Sequence, residues 1–231
     1  MTEPIELPPA PERAPSYGAI VIPSYGMSKW ETGSEYRLSF FSGVVTRAAY
    51  ELWKKGVAPR IIIEGAKIFP GDPNNDGDLM KQFLVKLAEN DGLEFPEDSI
   101  VQRRDNKNTY TQIADAKSAV QELGITQKVL TVYCDLHELR VPALIRKYGI
   151  NSDTRVAEEV LSEKYPAFAE VWNLIKSDPS YKRTKAMEFV LFMLLKIDPY
   201  DTFARFISSK RFKSKGADVP DVRHRRTVRS Y

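Results

Sequence analysis

Apolar runs and amphipathic stretches alternate through the first 150 residues of the chain. Residues 18–23 (GAIVIP) and 60–65 (RIIIEG) are short and apolar, the second a continuous β-branched run between Pro59 and Gly65. Such runs suit strands of a parallel sheet covered on both faces. Residues 99–102 and 128–133 predict a third and a fourth strand. Between them apolar positions recur at helical spacing. Val44, Val45, Ala48, Ala49, Leu52 and Trp53 form one stripe that begins at Gly43 and stops at Gly56. Leu79, Phe83, Leu84 and Leu87 form a second, ending near Gly92, and Ile113, Ala116, Val120 and Leu123 a third, stopping at Gly124. The polar, aromatic stretch 27–41 has no clean period and is expected to loop over one rim of the sheet.

Alternation of this kind predicts an α/β fold: a Rossmann-like three-layer sandwich with a mainly parallel sheet joined by right-handed crossovers. Beyond Ile150 the period changes. Residues 155–157 read as an edge strand, and 166–175, 181–197 and 199–208 as helices packed on the sheet rather than a separate domain. The expected organisation is a Pro-rich arm at 1–16, an α/β core at 17–150, a helical extension at 151–209 and a basic tail at 210–231.

Composition adds three limits. At 231 residues, 42% hydrophobic and 28% charged, the chain is long enough for a real core. Its single cysteine, Cys134, excludes an intramolecular disulfide, and residues 1–15 carry five prolines and no apolar signal-like run, so a cytoplasmic location is expected. The longest nearly apolar run, 189–195, is far short of the roughly 20 residues that cross a bilayer. Charge is uneven: residues 208–231 hold eight basic against two acidic side chains, a net of +6, which leaves −3 on the rest of a chain whose total is +3. The tail is therefore either a solvated end or a contact for nucleic acid or an acidic lipid surface.

Chemistry concentrates where strands end. Loops at the carboxyl ends of parallel strands, followed by helix N-termini, form the ligand crevice of open α/β sheets. Ser24, Tyr25 and Gly26 follow the first strand, Glu64 and Gly65 close the second, and Asn108 and Thr109 precede the third helix. Residues 134–140 (CDLHELR) follow the fourth strand. His224 lies in the basic tail, so His137 is the one histidine of the folded body. His137 and Arg140 are three residues apart, which places both on one face of a helical turn: an acid–base group beside a bidentate anion clamp. Pro142 opposes a helix already running from Asp135, so the first turn should be kinked or delayed. Asn108 and Thr109 read equally as helix cap or ligand contact, and Cys134 as nucleophile or strand-end filling. No further histidine or cysteine completes a zinc set, and 72–78 (DPNNDGD) copies only the opening half of a calcium loop, so no metal site is expected. Neither a dinucleotide fingerprint nor a P-loop is present.

The order of residues 18–26 (GAIVIPSYG), 52–56 (LWKKG), 58–65 (APRIIIEG), Asn108-Thr109 and Cys134-x-x-His137-x-x-Arg140 resembles the YdcF/SanA/ElyC family of bacterial proteins, over about residues 18–150. Ala186-Met-Glu188 is similar to the start of the family's C-terminal helices. The resemblance implies a Rossmann-like fold with a polar ligand crevice, nucleotide-like or adenosyl ligands such as S-adenosylmethionine, and for some members a link to the envelope. Without an apolar leader the chain is closest to the soluble YdcF type. It departs from the family pattern at several points: Glu64-Gly65-Ala66 stands for Ser-Gly-Gly, Cys134 for a serine, and 108–112 (NTYTQ) lacks the acidic residue of Asn-Thr-x-Glu-Asn. Arg47 lies nearest the arginine that the family carries in its first helix. These features predict an enzyme, a hydrolase or transferase of a small phosphorylated or nucleotide-like molecule. In it Arg140 is the clamp, His137 the acid–base residue, Asp78 or Glu64 the carboxylate, and Asn108, Thr109, Cys134 and Asp135 line the ligand. The alternatives are a non-catalytic binder of an adenosyl compound, an envelope-related accessory protein, and an adaptor acting through its tail.

Overall fold

In the computed structural model, which describes residues 14–29, 36–67 and 75–197, five parallel strands form one sheet. They are β1 (Ile20–Pro23), β4 (Ile61–Ala66), β5 (Ile100–Asn106), β6 (Val129–Tyr133) and β7 (Ser152–Val156), in the spatial order β5-β4-β1-β6-β7. Because β1 is flanked by β4 on one side and β6 on the other, the chain first winds one way and then the other. The carboxyl ends of β1 and β6 therefore enclose a topological switch point, where α/β sheets hold ligands.

Alternate residues of each strand feed opposite layers. Ile20, Ile22, Ile61, Ile63, Leu130 and Val132 join α1 (Phe40–Lys54), α2 (Asp76–Asn90) and α5 (Ala157–Lys164) in one apolar cluster. Ala19, Val21, Ile62 and Val129 face α3 (Thr109–Glu122) on the other side, and α4 (Arg140–Tyr148) extends that layer against α3 and Tyr133. Each isoleucine among these is fully buried, which stabilises the fold by about 1.5–3 kcal/mol per side chain. The Rossmann-like three-layer sandwich expected from the alternation is what the chain forms.

Several boundaries differ from expectation for identifiable reasons. Helix α1 starts three residues before Gly43, because the Ser39 side chain accepts the Ser42 N–H and caps it. Strand β5 runs to Asn106 rather than Gln102, its polar second half matched against β4 across a register shift. The stretch over the rim contains a small hairpin, β2 (Met27–Lys29) paired with β3 (Tyr36–Leu38). The edge strand begins at Ser152, and α5, unsuspected in the sequence, follows it at once. Helices α6 (Pro166–Ser177) and α7 (Pro179–Ile197) complete the described chain, α7 running against α4 and the turn after β6. The helix expected at 199–208, the basic tail and most of the Pro-rich arm lie outside the described residues. Among the described residues no helix is long and apolar enough to cross a membrane.

Candidate functional site

The turn after β6 sets the geometry. Asp135–His137 form a single 3-10 turn, and α4 begins only at Arg140, which puts Pro142 in the first helical turn where its missing N–H leaves no acceptor unpaired. The delayed start that Pro142 predicts is thus observed, and it turns His137 and Arg140 toward each other. Arg140 Nη2 lies 2.7 Å from His137 Nε2, 2.9 Å from a Glu188 carboxylate oxygen and 3.4 Å from Thr109 Oγ1. Its guanidinium also sits 5.7 Å above the ring of Tyr110. Arg140 is 4% exposed, His137 8% and Glu188 8%, so three ionisable groups meet in a largely dehydrated place.

A guanidinium can only donate, so the 2.7 Å contact calls for the lone pair of His137 Nε2 as acceptor. The Tyr25 ring packs 4.6 Å from the imidazole centroid, and the Tyr25 hydroxyl accepts the Cys134 N–H at 3.2 Å, tying the loop after β1 to the loop after β6. Beside this group a small crevice is lined by Asp135, Leu136, Glu138, Leu139, Arg140, Lys185, Glu188 and Phe189. Asp135 forms one wall. Burial works against its ionisation, but hydrogen bonds from Lys185 (2.7 Å) and Tyr181 prevail and hold its carboxyl below the usual range.

Two further carboxyls flank the switch point. Glu158, 1% exposed in the first turn of α5, accepts the Asp135 N–H through Oε2 at 2.9 Å, while Oε1 has no partner among the described residues. Burial, only partly offset by that N–H and its own, raises its pKa to about 7. Asp76, fully buried at the start of α2, accepts the Ala66 N–H at 2.6 Å and faces the Ser24 hydroxyl and the N–H of Gly26. Its pKa is pushed up by burial to about 6.

The loop after β1 is held in place rather than open. Ser24 Oγ accepts from Gln112 Nε2 at 2.6 Å, the Tyr25 N–H donates to Ser42 Oγ, and the Gly26 carbonyl accepts from the same hydroxyl. Thus His137, Arg140, Thr109, Tyr25, Cys134 and Asp135 converge, with Ser24 and Gly26 next to Asp76. Cys134 is fully buried and burial drives its thiol pKa well up, which leaves no thiolate for nucleophilic attack.

Other expected residues stand apart. The Asn108 side-chain oxygen Oδ1 accepts the Thr111 N–H and caps α3, while the neighbouring Thr109 hydroxyl reaches Arg140. The Asp78 carboxylate is engaged by Gln102 and Arg104 at 2.7 Å each, away from the cluster. Glu64 is fully buried on the α3 side, where it accepts from Asn106 and shares a hydrogen bond with Asp115; burial raises its pKa well above the usual carboxylate value. Arg47 bonds Glu51 and the Tyr165 hydroxyl on the α1–α5 side. Gly65 serves close approach: a Cβ there would lie 2.3 Å from Asn75 Oδ1 and 2.9 Å from the Gly77 backbone. Sequence reasoning missed Glu188, Asp76, Glu158 and Gln112. Glu188 had two signals, its place in Ala186-Met-Glu188 and its being the only acidic residue of α7, but neither pointed to Arg140. Among the described residues no cluster of histidine, cysteine, aspartate or glutamate could hold a metal ion.

No family model, no curated protein and no solved structure matches the chain.

Proposed function

We propose that the chain is an enzyme of the YdcF/SanA/ElyC type, a hydrolase or transferase acting on a small phosphorylated or nucleotide-like molecule at the carboxyl-end rim of the sheet. One observation carries this reading: Arg140 Nη2 within 2.7–3.4 Å of His137, Glu188 and Thr109 at the topological switch point. A buried guanidinium with a carboxylate against it is the contact that a phosphate or carboxylate of a ligand would make. When an incoming anion draws Arg140 away, His137 Nε2 becomes free to accept a proton from an attacking hydroxyl or water. Thr109 and the α3 N-terminus supply neutral donors. Asp76, beside the Ser24–Gly26 loop, replaces Asp78 and Glu64 as the carboxylate of this site. The single, buried thiol of Cys134 favours a reducing, cytoplasmic setting.

The test is incubation of the full chain with nucleotides, nucleotide sugars, sugar phosphates and adenosyl compounds, with product analysis by mass spectrometry. A substrate should be turned over by the native chain and not by His137→Gln, which should still bind it. Turnover that survives in His137→Gln removes the imidazole from the mechanism. Binding of an adenosyl compound without product favours the non-catalytic alternative.

A further inference from the structure

Helix α7 has two faces of opposite kind. Its inner face carries Tyr181, Lys185 and Glu188 to the crevice, and Leu191 is buried. Its outer face consists of Lys182, Ala186, Phe189, Val190 and Met193, at i, i+4, i+7, i+8 and i+11, one continuous helical stripe whose Phe189 also borders the crevice while staying half exposed. Phe189 is 52% exposed, Val190 49% and Met193 44%, and Met187 beside them 43%. A soluble helix normally turns its apolar stripe inward; here large apolar side chains face out in the company of exposed Lys182 and Arg183. The one acidic residue of the helix, Glu188, is turned inward, so the outer face carries positive charge only.

We infer that the outer face of α7 is a peripheral docking surface for an anionic lipid bilayer, with Phe189, Val190 and Met193 entering the headgroup boundary and Lys182 and Arg183 meeting lipid phosphates. Charge complementarity decides among occupants. Residues 208–231 follow α7 with a net of +6, and an apolar face joined to a polybasic segment supplies the two signals that stable membrane attachment needs. A second copy of the chain docked on this face would bring like-charged Lys182 and Arg183 together. A nucleic acid would match the charge but offers its phosphate surface no use for a phenylalanine–valine–methionine stripe.

The experiment is co-sedimentation of the full chain with phosphatidylcholine vesicles and with vesicles containing about 30% phosphatidylglycerol. Binding is expected to the anionic vesicles alone and to weaken as salt rises from roughly 0.1 to 0.5 M. The double variant F189D/V190D, altered only at exposed positions, should lower partitioning at least about tenfold while keeping the native melting temperature. Replacing Lys210, Arg211, Lys213 and Lys215 by Gln should lower it without touching α7. The inference is overturned if the native chain stays in the supernatant with anionic vesicles, or if F189D/V190D binds them as the native chain does. It is also overturned if the chain is a dimer in solution that F189D/V190D makes monomeric.

Discussion

Replacing Glu158 by Gln should change how stability depends on pH, by an amount that follows from the burial of one carboxyl. Glu158 is 1% exposed, keeps one oxygen without a partner among the described residues and has its pKa raised from 4.5 to about 7. Between those values the unfolded chain has released this proton and the folded chain still holds it. The unfolded state therefore binds fewer protons, and folding stability falls as pH rises from 4.5 toward 7, levelling off above that. At about 1.4 kcal/mol per pH unit the loss is about 3 kcal/mol. Glutamine keeps an oxygen to accept the Asp135 N–H and cannot ionise. Asp76 titrates over part of the same window in both proteins, so the difference between native chain and variant isolates Glu158. Urea unfolding at half-unit steps from pH 4.5 to 8 measures it. The native chain should lose about 3 kcal/mol relative to Glu158→Gln across this range. Parallel profiles would refute the assignment of a buried, protonated carboxyl at this position.

Two other substitutions probe the frame of the site. Gly65→Ala places a Cβ 2.3 Å from Asn75 Oδ1 and 2.9 Å from the Gly77 backbone, so the start of α2 must move; the substitution should lower stability by on the order of 1–3 kcal/mol, and an unchanged unfolding midpoint would contradict the close approach. Arg140→Met removes the 2.9 Å Arg140 contact of the Glu188 carboxylate in a largely dry setting and should destabilise by roughly 3–5 kcal/mol, with part of the loss recovered by adding Glu188→Gln. Strictly additive losses in that cycle would mean that the pair does not hold α7 on the rim.

Strands β1, β4 and β6 were legible because short apolar runs rich in β-branched residues have few alternatives, and α1 to α3 because their stripes repeat over three turns or more. Strand β5 was half legible: Arg103, Arg104 and Asp105 have no apolar period, and their place in the sheet is set by pairing with β4. The eight residues of α5 are too few to show a stripe against the strand they follow. At the site, the spacing of His137 and Arg140 together with Pro142 was enough to bring them together, since that geometry is local. Periodicity could not tell Asp76 from Asp78, two residues apart, because the choice depends on how α2 approaches Gly65. Nor could it place Glu188 and Glu158, whose roles arise from contacts made across the fold. Of the two roles that Asn108 offers, the cap is the one its side chain fills, by bonding its own helix.

The central claim, that Arg140 clamps the anionic group of a small ligand at the switch point, is tested most directly by thermal shift. The native chain and Arg140→Lys, which keeps the charge but loses the planar fork, would be screened against one panel of nucleotides and phosphorylated metabolites. At least one phosphorylated compound should raise the melting temperature of the native chain and leave that of Arg140→Lys nearly unmoved. Equal stabilisation of both proteins by every compound that acts would contradict the clamp.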